Sequence, residues 1–210
     1  MKPQIDYREF GQSVAPLYIF FAAAIAAEIS LNKIVCLMGE LMTKSLDLGC
    51  SIKPKNPYHA DEIYGVDIWE DLSRNIKKAD LVVEPIPFED DFFDFVTAYD
   101  LIEHIPRLIY KPERRLPFIE LMNEIYRVLK MGGFFFSQTP AFPNAAAFVD
   151  PTHVNFITEG TFPLYFCDSQ SNPPWGGLYG FRGVFSLRQQ EWSGPQLLTL
   201  MQKIPVKGRE

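Results

Sequence analysis

The 210-residue chain has little cysteine: Cys36, Cys50 and Cys167 are widely spaced, odd in number and form no C-x-x-C pair. That excludes a disulfide framework and a structural zinc knot, and it fits a reducing, cytoplasmic setting. Long basic runs are missing too. Twenty Lys and Arg stand against 26 Asp and Glu, a net charge of -6, so the electrostatic footprint of a nucleic-acid binder is absent and a small-molecule partner fits better. The apolar run at residues 17–27 falls well short of the roughly 20 residues that span a bilayer. Asp6 and Glu9 also spoil the basic leader of a secretion signal. The run therefore reads as a buried or interface helix ending near Glu28, and a homodimer through it is one expectation.

What is present is enough apolar material for one core. At 47% apolar, a chain of this length predicts a single domain: a helical region at 1–43, a ligand-binding core at 44–139, and a cover with the last strands at 140–210. Short apolar runs bounded by turn residues predict strands at 44–48, 63–68, 76–81, 93–99 and 134–137. Pro54 and Pro57 remove backbone donors and leave at most a helical turn or two, over 57–62, between the first two strands. The next connection, 69–75, is as brief. The clearest helix spans 115–130, where Phe118, Leu121, Met122, Ile125 and Leu129 share one face, and Gly132-Gly133 supplies its left-handed stop. Two last strands at 181–188 and 196–204, turning at Ser193-Gly194-Pro195, give an antiparallel edge. The pattern predicts an α/β fold with a mostly parallel, seven-stranded sheet, shortened first crossovers, and ligands at the carboxyl ends of the strands.

The residues at those ends carry the chemistry. Asp47 lies inside the first strand and Gly49 at its exit, where the backbone must turn and let a ligand approach. Asp67 ends the second strand, where a carboxylate can accept both hydroxyls of a ribose. Then follow Ala79-Asp80, the stretch from Glu84-Pro85-Ile86-Pro87-Phe88 to Phe93-Asp94-Phe95-Val96, Tyr99-Asp100-Leu101-Ile102-Glu103-His104, and Glu124-Ile125-Tyr126-Arg127-Val128-Leu129-Lys130-Met131-Gly132-Gly133. As a set, covering about residues 44–139, these resemble the small-molecule class I methyltransferases, of methyltransferase type 11 kind, with their sequence of D-x-G-x-G, D, LPF-x-D-x-x-FD-x-V, LEH and E-x-x-R-V-L-K-x-G-G. The resemblance implies a Rossmann-like methyltransferase fold with S-adenosylmethionine as cofactor. It places the methionine part against Asp47, Gly49, Cys50 and Ser51, the ribose on Asp67 beside Ile68, the adenine at Asp80 and Leu81, and the reacting methyl near Tyr99 and Asp100. Ser51 and Lys53 depart from the second and third glycines of the usual loop. A nicotinamide dinucleotide would need G-x-G-x-x-G to cradle its pyrophosphate, and Gly49-Cys50-Ser51-Ile52-Lys53-Pro54 does not provide it.

A hydroxyl acceptor must lose a proton, and histidine is the side chain best matched to that near neutral pH. Of three histidines, His59 reads as a solvated turn residue. His104 follows the fourth strand, where a substrate-facing role and a capping or packing role weigh evenly. His153, in Asp150-Pro151-Thr152-His153, is favoured as base or substrate contact. Asp150 either orients it or caps a short helix over 155–166. Asp150, His153 and Glu103 also contain metal-ligand chemistry, but no ligand spacing compels a metal. Glu103, Trp175 and Tyr179 are expected at the substrate, Trp175 and Tyr179 as an aromatic wall for a ring, a saccharide included, or equally as a hydrophobic plug under a loop. The expected activity is methyl transfer to an oxygen or nitrogen of a small metabolite. A protein that keeps the fold without catalysis, or a partner-binding subunit, stays open.

Overall fold

The computed structural model describes residues 42–110, 112–169 and 173–206. Its seven strands are β1 (Lys44–Leu48), β2 (Glu62–Asp67), β3 (Ile76–Lys78), β4 (Phe93–Tyr99), β5 (Leu129–Pro140), β6 (Phe185–Ser193) and β7 (Gln196–Lys203). They form one sheet in the order β3-β2-β1-β4-β5-β7-β6. The first five pair in parallel, and β7 runs antiparallel between β5 and β6. Contacts divide the chain into two units, Met1–Met42 with Pro57–His59 and Thr43–Asn56 with Ala60–Glu210, and the second carries the sheet. The expected helix over 17–27, Cys36 and a dimer contact through that helix lie outside the described residues. Among the described residues no helix is long and apolar enough to cross a membrane.

Alternation along the strands sorts side chains onto two faces. Leu46 and Leu48 share a face with Tyr64, Val66, Val96, Ala98 and Phe135 by strand register. Onto that face α1 (Pro117–Val128) lays Phe118, Leu121, Met122, Ile125 and Val128, all buried in the same cluster. Burying side chains of this size contributes about 2 kcal/mol each, which anchors the one long helix of the described chain. Its first turn is closed by Pro117 at the first helical position and by Glu120, whose carboxylate accepts the Leu116 N–H at 3.3 Å. The opposite face carries Ser45, Asp47, Phe95, Thr97 and Tyr99.

Several boundaries differ from the sequence expectation. The helix ends at Val128 because Leu129 is already extended (φ -72, ψ 138) and begins β5. Gly132 is left-handed (φ 82), but inside a bulge where β5 carries three more residues than β4 between paired positions, so it bends a strand instead of stopping a helix. Gly133 has no room for a side chain: a Cβ would meet the Lys130 and Asp94 carbonyl oxygens at 2.9 and 3.0 Å. The third strand stops at Lys78 because Asp80 caps a turn, taking the Val82 N–H on its carboxylate and the Glu84 N–H on its carbonyl. β6 starts four residues later than expected, since Gly183 lies flat on the Tyr126 ring, where a Cβ would come within 2.5 Å of ring carbons. No helix forms between Gly49 and Asp61, so the first crossover is shorter in helix than even the prolines suggested. Two short helices, α2 (Ala146–Val149) and α3 (Thr161–Phe166), follow β5. The second occupies only the last half of the helix expected over 155–166, starting at Gly160 with no side-chain cap.

Candidate functional site

β1 sends its chain toward β2 on one side of the sheet, while β4, its other neighbour, sends its chain toward β5 on the other. The carboxyl ends of β1 and β4 therefore flank the switch point where open parallel sheets take their ligands. Gly49 leaves β1 left-handed (φ 64), and a Cβ there would meet Leu101 Cδ1, just past β4, at 3.0 Å. Both conformation and space demand glycine. Ser51 is also left-handed (φ 52). It adopts, with a side chain, the backbone conformation that the glycine of the family motif adopts freely.

Two carboxylates hold this loop in place. Asp47, 1% exposed, accepts the Lys55 N–H at 2.8 Å and the Thr97 hydroxyl at 2.7 Å. Burial nevertheless outweighs those bonds and lifts its pKa to about 6. Asp67 accepts the Ser51 N–H at 2.9 Å on one oxygen and the Ile68 N–H at 2.8 Å on the other. Each oxygen retains a second lone pair. Ile68 is exposed and Cys50 buried, and burial with the nearby Asp47 and Asp67 pushes the Cys50 thiol up to about 12, so it is no nucleophile. Asp80 is exposed and Leu81 buried beside it. Tyr99 is buried, and the Lys55 ammonium lies 3.8 Å from its ring centroid. Asp100, left-handed (φ 49), accepts from the Gln196 amide at 3.0 Å. Its side chain reaches solvent but is walled in, and the resulting desolvation raises its carboxyl above the ordinary range. Lys55 was invisible to motif reading, because its place depends on the path of an irregular loop.

The second group of residues gathers where the chain after β4 meets the segment after β5. The Glu103 carbonyl accepts the Val154 and Asn155 N–H groups, both at 2.9 Å, and Asn155 Nδ2 donates to the Ile102 carbonyl at 3.0 Å. This double tie brings the His104 and His153 rings edge to face, 4.8 Å between centroids. Asp150 does not hold the His153 ring as one sequence alternative had it. Its carboxylate accepts the Thr152 N–H at 2.7 Å and the Thr152 hydroxyl at 2.6 Å, which lowers its own pKa. The Thr152 hydroxyl, its proton so committed, lies 3.0 Å from His104 Nδ1 and acts there as acceptor. The His153 Nδ1 lies 3.3 Å from the Ala147 carbonyl. Glu103, expected at a substrate, is 1% exposed. One carboxylate oxygen accepts the Thr139 hydroxyl at 2.8 Å, and burial pushes the group up to about 7.

Beside this cluster opens a cavity of about 670 Å³ lined by Phe118, Phe142, Phe148, Phe156, Tyr165 and Tyr179 among others, with Arg107 its only charged wall among the described residues. Arg107 is fixed by donating from Nε to Asn155 at 2.7 Å, so the cavity and the histidines share a support. Of the expected aromatic wall, Tyr179 lines this cavity. Trp175 is half exposed and packs edge-on against Tyr165, with ring centroids 5.9 Å apart.

Residues 46–137 match the family described as methyltransferase domain. Among solved structures, a protein of Pyrococcus horikoshii OT3 is similar at 19% identity over 96% of this chain and 93% of its own, with a TM-score of 0.52. A chain from the Haloferax volcanii complex of the Trm112 methyltransferase activator with a protein assigned as a methyltransferase is similar at 13% identity, over 90% and 98%, with a TM-score of 0.51. The YcgJ protein of Bacillus subtilis is similar at 14% identity, over 79% and 93%, with a TM-score of 0.50. No curated protein matches the sequence. The sheet order, the site at its switch point and the family match over residues 46–137 are those of a class I S-adenosylmethionine-dependent methyltransferase domain. Its cofactor is S-adenosylmethionine.

Proposed function

We propose that this domain transfers the methyl group of S-adenosylmethionine to an oxygen or nitrogen of a small metabolite carrying a ring, a saccharide included. When bound, the cofactor supplies an electrophilic methyl carbon on a sulfonium. The chain's residues supply everything else. Asp67 offers a lone pair on each oxygen to the ribose hydroxyls. Asp47 and Gly49 to Ser51 shape the methionine end, Asp80 and Leu81 the adenine end, and Tyr99 with Asp100 the floor below the reacting methyl. The acceptor's ring lies in the aromatic cavity, and much of the rate comes from holding its nucleophilic atom in line with the methyl.

The single observation that carries this reading is the histidine pair at the cofactor end of the sheet. Both Nδ1 atoms face hydrogen-bond acceptors, so each carries the ring proton and leaves the Nε2 lone pair to take a proton from an acceptor hydroxyl, with His153 on the cover and His104 on the strand-four side. Such general-base help is worth roughly 10²- to 10⁴-fold in rate. The test is calorimetry with S-adenosylhomocysteine on the wild type and Asp67→Ala. We expect at least a hundredfold weaker binding in a variant that still melts cooperatively, and unchanged affinity would refute the cofactor assignment.

A further inference from the structure

The geometry points to a divalent-metal site made by Glu103, His104 and His153, taking a borderline first-row ion of the manganese-to-zinc series. One carboxylate oxygen and one nitrogen of each ring lie within 4.8 Å of one another. Neighbouring ligands of a tetrahedral ion with bonds of about 2.1 Å lie roughly 3.4 Å apart, so the widest pair must close by up to about 1.4 Å.

Three further observations argue that this is a built site. The first is Glu103 Oε1. The side chain is 99% buried, its other oxygen is engaged by Thr139, and Oε1 has no hydrogen-bond partner. A buried acceptor left so is costly and calls for an explanation such as an ion. The second is the fixing of the imidazoles. A backbone carbonyl can only accept, so the contacts of His104 Nδ1 with the Thr152 carbonyl and of His153 Nδ1 with the Ala147 carbonyl, both 3.3 Å, place the proton on Nδ1 and the lone pair on Nε2. This is the outer-shell arrangement that orients metal-binding histidines. The third is the frame: the ligand-bearing segments are pinned to each other by the Glu103 carbonyl and Asn155, so the ligands converge before any ion arrives. The carboxylates of Asp100 and Asp150 act electrostatically on both rings and make the surroundings negative.

Donor chemistry sets the ion. Two imidazoles and one carboxylate suit zinc, cobalt, iron or manganese, whereas magnesium and calcium favour all-oxygen sets. Three protein ligands leave open positions for an acceptor oxygen. In that use, which rests on the methyl-transfer reading while the site itself does not, the histidines serve as ligands instead of bases. The ion stabilises the acceptor oxygen as its proton leaves to water. The oxygen lone pair then forms the bond to the methyl carbon, and the electron pair of the breaking C–S bond returns to sulfur.

The test uses the full chain, stripped with a chelator and titrated with Co²⁺ alone, without cofactor. We expect a saturable visible absorption at one equivalent, bleached by Zn²⁺, and at least tenfold weaker binding in His104→Ala and in His153→Ala. Cooperative melting of each variant checks the fold, and if one variant fails it the other decides. No saturable one-equivalent signal in the wild type, or undiminished affinity in a folded histidine variant, overturns the site. Calorimetry with S-adenosylhomocysteine on the same sample separates the two claims. Cobalt binding without nucleoside binding keeps the metal site and sinks the methyl-transfer reading, and the opposite result does the reverse.

Discussion

The β1–β3 side of the sheet and the β4–β5 side are held by different forces. Between β4 and β5, α1 sets five apolar side chains on the sheet, and its polar flank grips the loop that enters β4. Arg127 donates to the Ile86 and Phe88 carbonyls at 2.8 Å each and pairs with Asp90 and Glu124, while Glu124 accepts the Ile86 N–H at 3.0 Å. Between β1 and β2 there is no helix to do this. The loop is held by Asp47 on the Lys55 N–H and Asp67 on the Ser51 N–H. Apolar area responds little to pH or to a bound cation, whereas carboxylates respond to both. The adaptable half of the sheet is thus the half where most of the cofactor residues are expected, and the rigid half adds Tyr99 and Asp100.

If that division holds, breaking the clamp should have the largest effect on stability and a small one on the site. Arg127→Ala strands two carbonyls and two carboxylates around a half-buried position, at a cost of about 3 to 4 kcal/mol. Urea unfolding would measure it. Nucleoside affinity of the folded fraction should stay within a few fold, and a large loss of affinity would show that the two halves are not independent.

Legibility in the sequence did not follow that division. Strands β1 and β4 lie where flanking turn residues predicted them, and α1 showed four of its five apolar positions at helical spacing, with Val128 in the place read at Leu129. What the sequence could not show depends on distant partners. The bulge at Gly132 exists only against β4, and β6 begins only where Gly183 clears Tyr126. In the site, Asp47, Gly49 and Asp67 were readable because their roles follow from position on a strand end. Thr139 and Thr152 were not, because each meets its partner across the chain, Thr139 on Glu103 and Thr152 on His104. The Glu124 and Arg127 motif was read as a family mark, and its work here is mechanical.

A second effect tests the carboxylate side. Burial lifts Asp47 to about 6 in the folded protein, against about 3.9 in an unfolded chain. Between those values the native state binds more protons than the unfolded state, so the contribution of Asp47 to stability falls as pH rises from about 4 through 6 and stays at its lower level above. At about 1.4 kcal/mol per unit, the loss approaches 2 to 3 kcal/mol. Asp47→Asn should make that part of the profile clearly shallower in chemical unfolding at fixed pH values, the remaining slope coming from Glu103. A parallel decline in the variant would mean that other groups set the slope, and the loop would then be less dependent on Asp47 than its two hydrogen bonds imply.

The smallest effect concerns Ser51. A side chain in the left-handed region costs roughly 1 to 2 kcal/mol, and Ser51 at φ 52 bears it with its N–H tied to Asp67. Replacing it by glycine removes the strain but gives the unfolded chain more freedom. The two effects leave a net gain of about 0.5 to 1 kcal/mol in Ser51→Gly, seen as a rise in melting temperature of about 2 °C. The informative measurement is affinity for S-adenosylhomocysteine alongside it. If the serine only fills a glycine's place, affinity stays level or improves slightly as stability rises. If stability rises while affinity falls tenfold, the Ser51 hydroxyl contributes to the site, and the departure from the family loop is a feature of what this domain binds.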